Sequence, residues 1–225
     1  MDETCAKILN YENCDETEMS DVDKNICKTV LSTITRDTDG RLVVPLMWHD
    51  ESSQLLSKNL SLCKQILKSM KAKLDKVQGG LELVDSVITE QIEAKIIEPI
   101  ENLEIFLENN PTCSFLAHMP IFKESSRTTK YRVVYLSNLK EKTPNTSFSH
   151  NQSLLPGPQM NRPIEVSLTL LRFNKNLLIY DLKKAFLQLK LTSEDSNRLC
   201  FLWFKDAKKG NFTIKAYRCL RLPQI

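Results

Sequence analysis

Asp181 is the residue whose type and position most directly suggest chemistry. It follows a continuous apolar run at 177–180 (LLIY), which predicts a strand buried on both faces. A carboxylate at the end of such a strand can hold a hard divalent cation through its oxygens, as magnesium sites that act on phosphates require. The alternative is that Asp181 caps the turn that follows, because aspartate is a favoured capping residue.

Two cations lie on another predicted strand, residues 130–135 (KYRVVY), which forms a candidate hairpin with the extended apolar stretch 113–122. Lys130 and Arg132 are two positions apart, so a strand places them on the same face. Two cations on one face suit a triphosphate or a phosphate backbone. They are equally compatible with ordinary surface charges on a strand.

The charge is distributed unevenly along the 225 residues. Positions 1–110 contain 12 Lys and Arg against 21 Asp and Glu, a net charge of −9, whereas positions 111–225 contain 19 against 7, a net charge of +12. A concentration of basic side chains is what a surface that neutralises phosphates requires. The alternative is a set of solvated charged faces.

Residues 53–77 predict a long amphipathic helix, because apolar side chains recur there in steps of three and four. Its other face carries Lys58, Lys64, Lys68, Lys71, Lys73 and Lys76. These lysines could contact a nucleic-acid backbone, but a solvated face is the simpler interpretation. After Gly79-Gly80, a second helix is predicted from Leu81 to about Glu98, where Pro99 breaks it, so the two form a helical hairpin.

The remaining patterns complete an α+β prediction. Short helices are expected at 26–34 and 163–173, a short strand at 41–46, and a β-hairpin at 199–204 and 212–217. The alternating leucines at 187–191 predict a further strand. We divide the chain into an acidic segment (1–40), a helical hairpin region (41–110) and a basic, strand-rich region (111–225).

The cysteine pattern and the length of the apolar runs limit the cellular compartments that are expected for this protein. The seven cysteines are odd in number, scattered and without a CxxC pair, which favours reduced thiols in an intracellular protein, cytoplasmic or nuclear. No apolar run approaches the length of a membrane span, and residues 1–10 lack the apolar core of a secretory signal. The three histidines lack metal-binding or triad spacing.

Taken in order, these pieces resemble the reverse transcriptase of Bel/Pao-type retrotransposons, together with the linker that precedes it in the Pol polyprotein. The matching segments extend roughly from Arg41 to Pro223. The first of them begins two residues earlier, at Asp39. They are DGRLVVPL (39–46), the helical hairpin, FLAHMPIFK (115–123), TKYRVVY (129–135), LLPGP (154–158), YDLKKAFLQLKL (180–191) and RLCFLW (198–203). The resemblance implies the fingers and the first part of the palm of a right-hand polymerase.

It also implies roles for individual residues. Asp181 matches an acid that holds two Mg²⁺ ions, with the carbonyl of Leu182 as a further ligand. Phe186 matches the aromatic gate under the sugar of the nucleotide. Arg132, with Lys130 beside it, matches the residue that grips the triphosphate of the incoming dNTP. The partners implied are an RNA or DNA template-primer and dNTP, and the chemistry implied is two-metal nucleotidyl transfer.

The chain departs from the family pattern in three places. Leu136 stands where the family has an acid, and His150 stands where a leucine is common. The family continues after Pro223 into Phe-Gly and a later YxDD turn that supplies the other metal-binding acids, and the 225 residues contain no YxDD. We therefore expect an N-terminal fragment that is inactive by itself, because one carboxylate cannot assemble the two-metal site.

Two other interpretations remain open. The chain could be a retroelement-derived protein that binds nucleic acid or another protein while Asp181 plays no part. Alternatively, without the resemblance, it could be an α/β scaffold whose helical hairpin, within residues 53–98, binds a partner.

Overall fold

A computed structural model describes residues 20–49, 55–122, 131–142, 147–158, 163–173 and 175–223. Within these ranges the protein is a mixed α+β structure. The α-helices are α1 (Asp21–Thr33), α2 (Leu60–Leu74), α3 (Gly80–Glu93), α4 (Leu103–Asn109), α5 (His150–Ser153), α6 (Ile164–Arg172) and α7 (Ser193–Arg198). The strands are β1 (Thr35–Arg36), β2 (Leu42–Val44), β3 (Ile97–Ile100), β4 (Ala117–Phe122), β5 (Tyr131–Leu136), β6 (Lys190–Leu191), β7 (Cys200–Asp206) and β8 (Asn211–Cys219).

The chain forms two compact units. The first contains Met1–Thr33 and Pro156–Lys183, and its described helices are α1 and α6. The second contains Ile34–Leu155 and Lys184–Ile225, and it holds the three sheets and the buried core. The predicted divisions at residues 40 and 110 stay a prediction. Among the described helices, none is both long enough and apolar enough to cross a membrane.

The sheets of the second unit confirm both predicted hairpins. In one sheet, with the order β3-β8-β7, β8 pairs antiparallel with both neighbours. Strands β4 and β5 form a two-stranded antiparallel sheet, in which Arg132 lies opposite Ile121. The third sheet has the order β1-β2-β6, and β2 pairs parallel with β6.

The predicted helical hairpin is present as α2 and α3. The predicted apolar stripe of α2 is buried at Cys63, Leu67, Met70 and Leu74, and it packs against β4 and β7. The two glycines act as expected at the junction. Gly79 adopts a left-handed φ of 68°, and a Cβ on Gly80 would lie 2.9 Å from the carbonyl oxygen of Leu74.

The second helix ends earlier than predicted. Helix α3 stops at Glu93, and Lys95 has a left-handed φ of 51°, after which Pro99 lies inside β3 opposite Tyr217. Because β3 is an edge strand, a residue without an N–H is tolerated there. Pro99 therefore marks a sheet edge and not the end of a helix.

The predicted buried strand before Asp181 is wrong. Residues 177–180 have no regular secondary structure, and their side chains are 51–83% exposed. The alternation at 187–191 also misleads, because Ala185–Gln188 forms a 3₁₀-helix and only Lys190 and Leu191 form β6. A continuous apolar run is buried only where neighbouring strands accept it, and no described strand pairs with 177–180.

Two buried carboxylates join distant parts of the second unit. Asp195 accepts hydrogen bonds from the indole N–H of Trp48 (2.6 Å), the backbone N–H of Leu46 (2.9 Å) and the hydroxyl of Thr192 (2.7 Å). Asp85, on α3, accepts from the indole N–H of Trp203 (2.8 Å) and the backbone N–H of Lys208 (3.1 Å). Asp85 and Asp195 are 7% and 5% exposed, so each carboxylate is satisfied by donors within the protein.

We expect Asp195→Ala to lower the free energy of unfolding by about 3 kcal/mol, because it leaves the indole of Trp48 and the N–H of Leu46 without an acceptor. Urea denaturation followed by tryptophan fluorescence measures this loss. The control is Asp39→Ala in an exposed turn, which should change stability by less than about 0.5 kcal/mol. Equal stability of the two variants would show that Asp195 does not hold this region together.

Candidate functional site

The β4–β5 hairpin presents Arg132 on an exposed outer face. Arg132 lies opposite Ile121, and Val134 lies opposite Met119, so these four side chains share one face of the sheet. Arg132 is exposed, and Ile121 and Met119 are 48% and 40% exposed. This outer face therefore combines one guanidinium with apolar surface.

The inner face of the same hairpin is fixed by aromatic packing. His118 and Tyr135 lie opposite each other and are buried. The ring of His118 lies 5.3 Å from that of Phe201 and 5.8 Å from that of Trp203, both edge-on, and Tyr135 lies 5.6 Å from Phe201. Aromatic rings at these separations attract one another, so the backbone that carries Arg132 is anchored to β7.

Arg132 is available to a ligand. Among the described residues, it has no ion-pair partner. A guanidinium that is exposed on a rigid strand can make a bidentate contact with a phosphate. Lys130, the second predicted cation, lies outside the described residues.

Asp181 lies in an exposed stretch of the first unit. It belongs to residues 176–182, which have no regular secondary structure, and Leu182 is 77% exposed. Within the described part of the chain, the Asp181 carboxylate accepts no hydrogen bond, so the structure gives no support to the capping alternative.

Phe186 lies in the second unit, in the 3₁₀-helix Ala185–Gln188. Lys184 precedes this helix with a left-handed φ of 53°, and the side chain of Phe186 is 54% exposed. Of the predicted site residues, Asp181 and Leu182 thus belong to one unit, while Arg132 and Phe186 belong to the other.

The donor set does not fit a two-metal centre. A site that holds two Mg²⁺ ions needs several carboxylate oxygens, and Asp181 contributes one carboxylate beside the carbonyl of Leu182. No group of three or more His, Cys, Asp or Glu side chains lies together as metal ligands in the described ranges. The predicted magnesium chemistry therefore stays a prediction, and these residues do not support a catalytic step through it.

An open cleft of about 410 Å³ in the second unit was not predicted. Along one wall, Arg218 forms an ion pair with Glu98 and donates a hydrogen bond to the side-chain oxygen of Asn197 (2.7 Å). The side-chain amide of Asn197 donates to the side-chain oxygen of Asn110 (2.6 Å). The Asn110 amide donates in turn to the carbonyl of Phe106 (2.9 Å). Because these groups satisfy one another, the wall acts as a structural network. Its partners are far apart in sequence, so no local pattern indicates it.

No family model, curated protein or solved structure matches the chain.

Two buried histidines predict a loss of stability in acid. Burial lowers the pKa of His118 and of His150 to about 4, from an ordinary value of 6.5. The Nε2 of His150 lies 2.9 Å from the carbonyl oxygen of Arg198. The unfolded chain binds protons below pH 6.5 that the folded protein excludes until about pH 4, so stability falls across this window as the pH is lowered. We expect up to about 2 kcal/mol per histidine at pH 5.

Urea midpoints at pH 7 and pH 5 test this expectation. His118→Phe keeps an aromatic ring in the cluster and removes one of the two buried imidazoles, so its midpoint should fall less between these pH values than that of the wild type. An equal fall in both proteins would show that His118 does not contribute to the acid sensitivity.

Proposed function

We propose that these 225 residues are the fingers and the first part of the palm of a Bel/Pao-type reverse transcriptase, preceded by its linker, and that they bind a template-primer and a dNTP. The order of the matching segments along the sequence supports the proposal. So does the pairing of two of them, FLAHMPIFK and TKYRVVY, as the antiparallel strands β4 and β5.

The position of Arg132 carries the proposal. A nucleotide-binding surface needs a cation that is exposed, free of competing carboxylates and held by a rigid backbone, because a preorganised charge loses less entropy on binding. Arg132 meets these three conditions within the described residues, since its own strand is anchored through Tyr135. Its role is to contact the triphosphate.

The proposed binding of a nucleotide does not by itself provide catalysis. Nucleotidyl transfer by two Mg²⁺ ions requires further carboxylates, and no described group of three or more His, Cys, Asp or Glu side chains supplies them. In the proposed role, Asp181 is one member of that set. The contribution of this chain is then to bind and orient the nucleic acid and the nucleotide.

The isolation of the Asp181 carboxylate favours a second candidate function. A retroelement-derived protein that binds nucleic acid without catalysis would use the basic region 111–225 and leave Asp181 idle. The two functions differ in their ligands, because only the polymerase fragment needs a specific contact with a dNTP.

Substitution of Arg132 tests the nucleotide site. We expect Arg132→Gln to weaken binding of a fluorescent dNTP at least fivefold, because it removes the charge that contacts the triphosphate. The matched control is Lys205→Gln, which removes one exposed strand cation from β7 and should change the affinity less than twofold. Saturable binding that is equally strong in both variants would contradict the role of Arg132.

Primer extension tests the catalytic part. We expect the 225-residue polypeptide to incorporate no nucleotide on an RNA template with Mg²⁺, because a single carboxylate does not hold two metal ions. Asp181→Asn should behave like the wild type in this assay. Robust incorporation by the wild-type polypeptide that Asp181→Asn abolishes would contradict this expectation.

A further inference from the structure

Helix α2 carries several lysines and no acidic side chain. Lys64, Lys68 and Lys73 lie on it, with Lys58 before it and Lys76 after it, and all five side chains are exposed. We refer to these five residues as the α2 lysine face. Lys64 and Lys68 lie about 40° apart around the helix, whereas Lys73 lies on the opposite flank of its exposed half. The helix itself contains no Asp or Glu, although it lies in the part of the sequence whose net charge is −9.

The α2 lysine face forms no close ion pairs with the described acids. In the described part of the chain, none of its five lysines forms an ion pair. Asp75, the acid that follows the helix, is engaged by Lys71, whose Nζ lies 2.9 Å from its carboxylate and 4.0 Å from the centre of the Phe212 ring. Lys71 is therefore not counted in the face.

This arrangement lowers the stability of the free protein. Lys64 and Lys68 are four residues apart on the helix, and like charges at this spacing repel by a few tenths of a kcal/mol. A solvated helix face normally mixes both signs, which removes this repulsion. The repulsion is relieved when a polyanion binds.

The fold extends the face with two lysines from the basic region. The Glu141 carboxylate accepts a hydrogen bond from the backbone N–H of Leu62 (3.0 Å), and its own N–H donates to the side-chain oxygen of Asn59 (2.9 Å). The exposed Lys140 and Lys142 flank Glu141, so they lie at the N-terminal end of α2. Positive charge from both parts of the sequence is thus found near the N-terminal end of α2, on either side of the Glu141 carboxylate in the sequence.

The buried side of α2 identifies the kind of polyanion. A helix that binds an anionic membrane inserts apolar side chains beside its lysines. In α2, Cys63, Leu67, Met70 and Leu74 are at most 6% exposed and are already packed in the core. Lys64, Lys68 and Lys73 are spread over about 14 Å of helix axis, and charges spaced along an axis suit a polymer with regularly spaced phosphates.

We propose that the α2 lysine face, together with Lys140 and Lys142, binds the phosphate backbone of a nucleic acid. It is a second surface beyond the proposed nucleotide site, and it requires neither Arg132 nor Asp181.

The test is the salt dependence of binding by the whole chain to a fluorescently labelled RNA–DNA hybrid, measured by anisotropy between 50 and 200 mM NaCl. The plot of log affinity against log salt has a negative slope, and each lost phosphate contact makes it shallower by about 0.9. We expect Lys64→Gln with Lys68→Gln to make the slope shallower by about 2 and to weaken binding about tenfold at the lowest salt. Lys64→Arg with Lys68→Arg should retain wild-type binding, because the charge is kept.

Helix α1 offers the matched control. Lys24 and Lys28 are also exposed and four residues apart, so Lys24→Gln with Lys28→Gln removes the same charge at the same spacing. This variant should bind like the wild type. Equal slopes for the two glutamine variants would overturn the proposal and leave α2 with a solvated face.

Two further results would also overturn the proposal that the α2 lysine face binds nucleic acid. One is a failure of the wild-type protein to bind the hybrid at 50 mM NaCl. The other is loss of binding to phosphatidylserine vesicles in the α2 variant while its binding to the hybrid is unchanged, which would assign the surface to a membrane. Failure of the proposed function is seen separately, because it appears as unchanged dNTP binding in Arg132→Gln.

Discussion

The second unit depends on two buried carboxylates that each accept an indole N–H. Asp85 lies in the N-terminal part of the sequence and binds Trp203 from the C-terminal part, whereas Asp195 lies in the C-terminal part and binds Trp48 from the N-terminal part. The two contacts therefore tie the acidic and the basic parts of the chain together in opposite directions. Removing one partner of such a contact leaves a buried polar group without water or protein to satisfy it, which is why these residues constrain the fold so strongly.

This constraint has a consequence for the surface charge. Because Asp85 holds α3 against β7, and α2 packs on β4 and β7, the helical hairpin and the basic strands form one unit. The acidic and the basic parts of the sequence are thus not separate units of the fold. Lys140 and Lys142 lie near the N-terminal end of α2, while Arg132 is presented on the outer face of the β4–β5 hairpin.

The helices and strands that the sequence predicts correctly are those that local periodicity and residue type determine. The three-and-four spacing of Cys63, Leu67, Met70 and Leu74 found the buried side of α2, and β-branched and aromatic residues found β5 and β8. The same rules could not predict the structural role of Asp85 or Asp195. Each carboxylate accepts a hydrogen bond from an indole more than one hundred residues away, and no local pattern indicates such a partner.

The failures have the same origin. Residues 177–180 look like a buried strand by composition, yet burial depends on flanking strands that a local pattern cannot supply. Pro99 shows the reverse case, in which a helix-ending signal belongs to an edge strand. For the candidate site, Arg132 lies exposed on a strand as the sequence predicts, and its role in nucleotide binding stays a prediction. The sequence also placed lysines on the outer side of α2, and the structure adds that none of the five lysines of the α2 lysine face pairs with a described acid.

Acetylation of lysines, read by mass spectrometry with and without an RNA–DNA hybrid, tests most directly whether this protein binds nucleic acid through the surfaces described. We expect Lys64, Lys68, Lys73 and Lys76 to become protected when the hybrid is bound, while Lys24 and Lys28 react at the same rate in both states. Equal reactivity of all six lysines with and without saturating hybrid would contradict it.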